Sequence, residues 1–103
     1  MLAINEHHEK LEFERSASLM SSTDYKERFI AEYIQLRVRR DRLSRFLTNW
    51  DNGALTFEPT CPRSIYGIQL RSMNDYLAIL EARMAIEGID YSYRDEKREA
   101  EEE

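Results

Sequence analysis

At 103 residues and 12.3 kDa, the chain has room for one domain, or for a helical unit that completes its core with another copy; a multidomain enzyme is excluded. Hydrophobic residues make up 42% while glycine and proline number three and two, which excludes a disordered chain and a turn-rich β-barrel and predicts an all-α fold. The net charge of −5 opposes general nucleic-acid binding, although it averages a basic block with an acidic tail.

In chain order, residues 1–22 form an N-terminal arm. Leu2, Ile4, Leu11, Phe13, Leu19 and Met20 follow no clean period, leaving room for a short helix over Ile4 to Glu14. Ser21, Ser22, Thr23 and Asp24 then offer N-cap oxygens, and Asp24 with Glu27 matches a capping box. The first long helix therefore starts there and runs to about Trp50, before the left-handed turn that Asp51-Asn52-Gly53 permits. Phe29, Tyr33, Leu36, Leu43, Leu47 and Trp50 form one seam at coiled-coil spacing, in which Arg40 takes the place of an apolar member. Tyr25, Ile30, Ile34, Val38 and Phe46 form a second apolar line.

Ala54 to Cys61 is expected as an ordered loop, because Leu55 and Phe57 alternate with polar neighbours and can fold back on the helices. Pro62 suits the first turn of the next helix, with Thr60 or Cys61 as its cap. In that helix Tyr66, Leu70, Met73, Leu77, Leu80 and Met84 repeat the seam, so the two helices pair as a long antiparallel hairpin. Gly88 can end it in left-handed geometry, with Ile89 folding back on Met84. The hairpin domain is thus 23–89, followed by a charged tail over 90–103, where Arg94 to Glu103 holds six acids against three bases. Ile65, Ile68, Tyr76, Ile79 and Ile86 make a second line on this helix too. Exposed apolar area costs about 25 cal/mol per Å², so the two uncovered lines predict assembly into a helical-bundle homo-oligomer.

Arg37, Arg39, Arg40, Arg42 and Arg45 place five guanidiniums in nine residues, opposed by Asp41 alone. At 100° per residue they spread around most of the helix, so some face the packed interior. A desolvated guanidinium needs an acid or an anionic ligand, and its planar fork suits phosphate. Glu32, Asp41, Glu81 and Glu87 are the acids expected to pair with the block in a purely structural role. The tyrosines and Trp50 serve packing first and base stacking second, while Tyr91 and Tyr93 lie where they can cap the bundle or a neighbouring pocket. Candidate ligand-binding residues are Arg37, Arg40 and Arg45 for phosphate, Tyr33 or Tyr66 for stacking, and Asn49 or Gln69 for hydrogen bonds. His7, His8 and Glu12 lack a third metal ligand at matching spacing, and Cys61 has no cysteine or histidine near it in sequence. No phosphate loop, serine elbow or other catalytic motif is present, so neither catalysis, a metal nor a cofactor is expected.

The run Tyr25-Lys26-Glu27-Arg28-Phe29-Ile30-Ala31-Glu32-Tyr33 with Gln35-Leu36 and Leu43 resembles the first helix of short phage proteins labelled crAss-phage-related. Cys61-Pro62, Gln69-Leu70, Met73, Tyr76-Leu77, Ile79-Leu80-Glu81, Arg83 and Glu87-Gly88-Ile89 are similar to that family's second helix. The resemblance covers Asp24 to Ile89 and implies a phage accessory protein without an established activity. By architecture alone the hairpin is also similar to phage sponges that sequester the nucleotide signals of CBASS and Thoeris defence. Their second-helix Ala-Met-Trp-Ala-Asn pattern is missing, so none of their binding residues carries over.

These observations together predict a non-catalytic, homo-oligomeric counter-defence protein that sequesters a small phosphate-bearing nucleotide signal of the cyclic or ADP-ribose type. The rival expectations are a protein-binding inhibitor of a host defence or host enzyme, in the manner of an anti-CRISPR, and a plain coiled-coil adaptor. Double-stranded nucleic acid and membranes are not expected partners: the charge is negative and no run reaches the ~18 apolar residues of a bilayer span. With one cysteine and no leader pattern, the expected location is the cytoplasm, that of the host cell if a phage encodes the chain.

Overall fold

A computed structural model describes residues 2–92, with side chains described from His7 onward. Among the described residues the chain is three α-helices: α1 (Leu2–Leu19), α2 (Tyr25–Asp51) and α3 (Arg63–Glu87). Both α1 and α3 pack against α2, so the expected hairpin is α2–α3 and α2 is the spine of the fold. No helix among the described residues is long and apolar enough to cross a membrane.

The ends of α2 and α3 follow from local chemistry. The Asp24 carboxylate accepts the Lys26 N–H at 2.9 Å, which caps α2. Glu27 does not complete the box: it accepts from the Ser22 hydroxyl instead. After Asp51, the Asn52 N–H returns to Thr48 O and Gly53 takes φ 70°. Pro62, with φ −61° and ψ 144°, is itself the cap of α3, and no side chain from Thr60 or Cys61 caps it. Gly88 sits at φ 68° and the Ile89 N–H reaches Met84 O at 3.0 Å, the Schellman ending expected from Gly88-Ile89.

The α2–α3 seam is apolar in its middle and polar at its ends. Phe29, Tyr33 and Leu47 of α2 are buried, as are Leu77, Leu80 and Met84 of α3, and Ile89 joins the same core. At one end Arg83 donates to both Tyr25 and Glu87, Tyr25 donates to Glu87, and the Arg83 guanidinium lies 4.7 Å from the Phe29 ring centre. At the turn end, Arg63 grips Asp51 through two 3.0 Å bonds, beside an aromatic cluster of Phe46, Trp50, Phe57 and Tyr66.

The N-terminal segment differs most from expectation. Instead of a short helix over Ile4 to Glu14, α1 runs for 18 residues and lies antiparallel on the second apolar line of α2. Ile34 and Val38 are fully buried as a result, so that half of the argument for assembly is met within the chain. Among the described residues docking has a polar part beside Phe13, which packs on the core: Glu9, 4% exposed, accepts from Arg42 at 3.0 Å and Arg45 at 2.8 Å, and buried Ser16 accepts from Gln35 at 3.1 Å. The Arg39 and Arg42 guanidiniums lie 5.8 and 5.0 Å from the Phe13 ring centre. The second line of α3 stays uncovered: Ile65, Ile68, Tyr76, Ile79 and Ile86 are all exposed.

Candidate functional site

The arginine block divides between three tasks. Arg42 and Arg45 hold Glu9 of α1, an acid the sequence argument did not pair with them. Arg40 binds its neighbour Asp41 at 2.7 Å and crosses the hairpin to Asn74 at 2.7 Å, which meets the polar demand of its seam position. Arg37 turns into a cleft between α2, α3 and the segment after Gly88. Of the four acids expected to pair with the block, Asp41 does so, with Arg37 and Arg40. Glu81 accepts from Tyr33, Glu32 from Tyr76, and Glu87 from Tyr25 and Arg83.

The cleft encloses about 400 Å³, within the range of small-molecule sites, and its polar wall is Tyr33, Arg37, Glu81, Tyr91 and Ser92. A hydrogen-bond chain crosses it: Arg37 Nη1 donates to Tyr33 Oη at 2.9 Å, and Tyr33 Oη donates to Glu81 Oε2 at 2.8 Å. Burial, followed by the bond to Glu81, raises the Tyr33 phenol above its ordinary 10.0, against the lowering influence of Arg37. Tyr33 is therefore a neutral donor at physiological pH. Met84, Ala85 and Ile89 supply the apolar wall.

Tyr91 closes the cleft from the α1 side. It meets Tyr33 edge to face at 6.1 Å, donates to Glu12 at 2.6 Å, and lies 5.8 Å from the Arg15 guanidinium. The residue assigned to a tail by composition thus packs against the core, as the expectation that Tyr91 can cap a pocket allows. The Tyr33 ring is only 3% exposed and its hydroxyl is bonded to Arg37 and Glu81, so it positions those two groups instead of stacking, and Tyr91 is the half-buried ring at the cleft.

The other sequence candidates are scattered. Tyr66 belongs to the aromatic cluster at the far end of the hairpin, Arg45 faces α1, and Asn49 and Gln69 are exposed outside the cleft lining. Tyr33 and Arg37 alone of the seven come together in the cleft. By residue type Glu81 is a structural partner of the arginines, yet the antiparallel register makes its place findable: Asp51 meets Arg63 and Arg40 meets Asn74, so Tyr33 meets Glu81.

A family model described as Sequestin matches residues 23–86, from the α2 cap through nearly all of α3. The chain belongs to the Sequestin family. The match falls on the hairpin that carries Tyr33, Arg37 and Glu81 and leaves out α1 and Tyr91. The name speaks of sequestration, and the crAss-phage-related likeness of the helix patterns stays a resemblance beside it. No curated protein and no solved structure matches the chain.

Proposed function

We propose that this chain is a non-catalytic phage counter-defence protein that sequesters a small phosphate-bearing nucleotide, of the cyclic or ADP-ribose type, in the cleft of Tyr33, Arg37, Glu81 and Tyr91. One observation carries it: a guanidinium, a neutral phenol, a carboxylate and an accessible aromatic ring converge on one cavity of about 400 Å³. The Arg37 fork suits phosphate. The Glu81 carboxylate repels phosphate but accepts from ribose hydroxyls or base N–H groups, so the set fits a nucleotide better than a bare anion. Tyr91 offers a face for the base. Membership of the Sequestin family supports holding a ligand rather than converting it.

Native mass spectrometry of the full chain, with a panel of cyclic dinucleotides and cyclic ADP-ribose isomers, tests the reading. A stoichiometric nucleotide mass on the wild type that Arg37→Ala loses supports it. A protein that stays empty across the panel overturns it and turns attention to a protein target.

A further inference from the structure

We propose that the exposed face of α3 is a dimer interface, closed by α3 of a second copy lying antiparallel across a two-fold axis. The inference is independent of the ligand proposed for the cleft. Ile65, Ile68, Tyr76, Ile79 and Ile86 leave a line of large apolar groups in water along the whole helix, with Ile86 84% exposed. Scattered exposed leucines need no explanation, but four isoleucines and a tyrosine on one stripe, broken only by Ser72 and Asp75 at its middle, do.

Its spacing is that of a helix partner. Ile65, Ser72, Ile79 and Ile86 recur every seventh residue, and Ile68, Asp75 and Ala82 follow three positions behind the first three of them. The seam that faces α2 uses the other side of the helix. An identical helix supplies the same repeat over the same length, and a two-fold axis makes such a face complementary to itself. Residues 93–103 are a poor cover: Tyr93 and Ala100 are their only apolar members.

Charge completes the match. Arg71 and Asp75 are exposed and have no ion pair or hydrogen bond among the described residues. With Ser72 opposite the partner's Asp75, an antiparallel pair sets Ile68 against the partner's Ile79 and Ile65 against the partner's Ala82, while Ile86 reaches past the start of the partner's α3 to the level of Cys61. Each Arg71 then lies within a turn of the partner's Asp75, giving two symmetric ion pairs about the axis. The helix alone offers roughly 37 Å by 10 Å, short of the ~800 Å² per partner of a stable interface. The groove of Met20, Leu36 and Arg39 continues the face, since Tyr76 at the edge of the line bonds Glu32 at the edge of that groove.

Sedimentation equilibrium of the full chain decides it. The wild type should be a dimer, and Ile68→Lys and Ile79→Lys should each be monomeric with unchanged helical circular dichroism, because both side chains are exposed. Arg71→Asp should weaken the dimer about tenfold, as two attractions become two repulsions, and adding Asp75→Arg should restore it. A wild type that stays monomeric, an assembly that survives both lysines, or a double charge swap no better than the single one overturns the proposal. The first of these leaves the face to a foreign protein.

Discussion

Single residues carry unequal weight, and buried charge shows this most clearly. Glu9 is the acid on which α1 docking turns, since two guanidiniums from α2 converge on one of its oxygens. Glu9→Gln removes the charge and leaves both arginines facing a neutral group, so chemical denaturation should show a loss of about 2–3 kcal/mol. Arg39→Ala, which removes a long contact with Phe13 and an exposed part of the wall beside Met20 and Leu36, should cost under ~1 kcal/mol in the same assay. Gly88 is a second sensitive point: at φ 68°, with open space where a Cβ would sit, Gly88→Ala should cost about 1–2 kcal/mol from backbone strain alone.

Among the elements, α2 and α3 were legible because their signals are local. Asp24, Gly53 and Gly88 mark ends through cap and turn geometry, and the α3 seam from Tyr66 to Met84 turns inward as its spacing requires. The packing of α1 was not legible, because Glu9 and Ser16 dock by hydrogen bonds that leave no apolar period. For the same reason the pairing of Arg42 and Arg45 with Glu9 of α1 was not legible in the arginine block. Within the candidate site, Arg37 and Tyr33 stood out as residue types, whereas Glu81 and Tyr91 needed the hairpin register and the path of the chain after Gly88. The clamps at the two hairpin ends make a pH prediction. Arg63 holds the Asp51 carboxyl below its usual range, and Tyr25 and Arg83 do the same for Glu87. A lowered folded-state value means that this stability is present above the ordinary carboxylate range and is lost as pH falls through the folded values. Thermal melts should therefore weaken below about pH 4.5, and Asp51→Asn should flatten that slope while lowering stability at neutral pH.

For the whole molecule, the shape is that of a flat, unfinished bundle. It measures 42 × 32 × 23 Å with a radius of gyration of 15.4 Å, against about 13 Å for a compact chain of this length. One face of α2 is closed by α1, one by α3, and the outer face of α3, the proposed meeting place for a second copy, is exposed. The cleft proposed for a nucleotide and the proposed dimer face draw on different sides of α3, so Ile79→Lys, expected to be monomeric, should keep the wild-type nucleotide affinity within about threefold. Deleting residues 93–103 spares Tyr91 and Ser92, and nucleotide capture should survive it. Inhibition of a protein target through the acidic tail should not, and a pull-down with the truncated chain separates the two.

The most direct measurement is isothermal titration calorimetry of cyclic ADP-ribose isomers into the wild type, Arg37→Ala and Arg45→Ala. The account predicts saturable binding to the wild type, a loss of at least about tenfold in Arg37→Ala, and retained affinity in Arg45→Ala, whose guanidinium holds α1 and not the cleft. Equal affinity in wild type and Arg37→Ala, or a loss confined to Arg45→Ala, would contradict it.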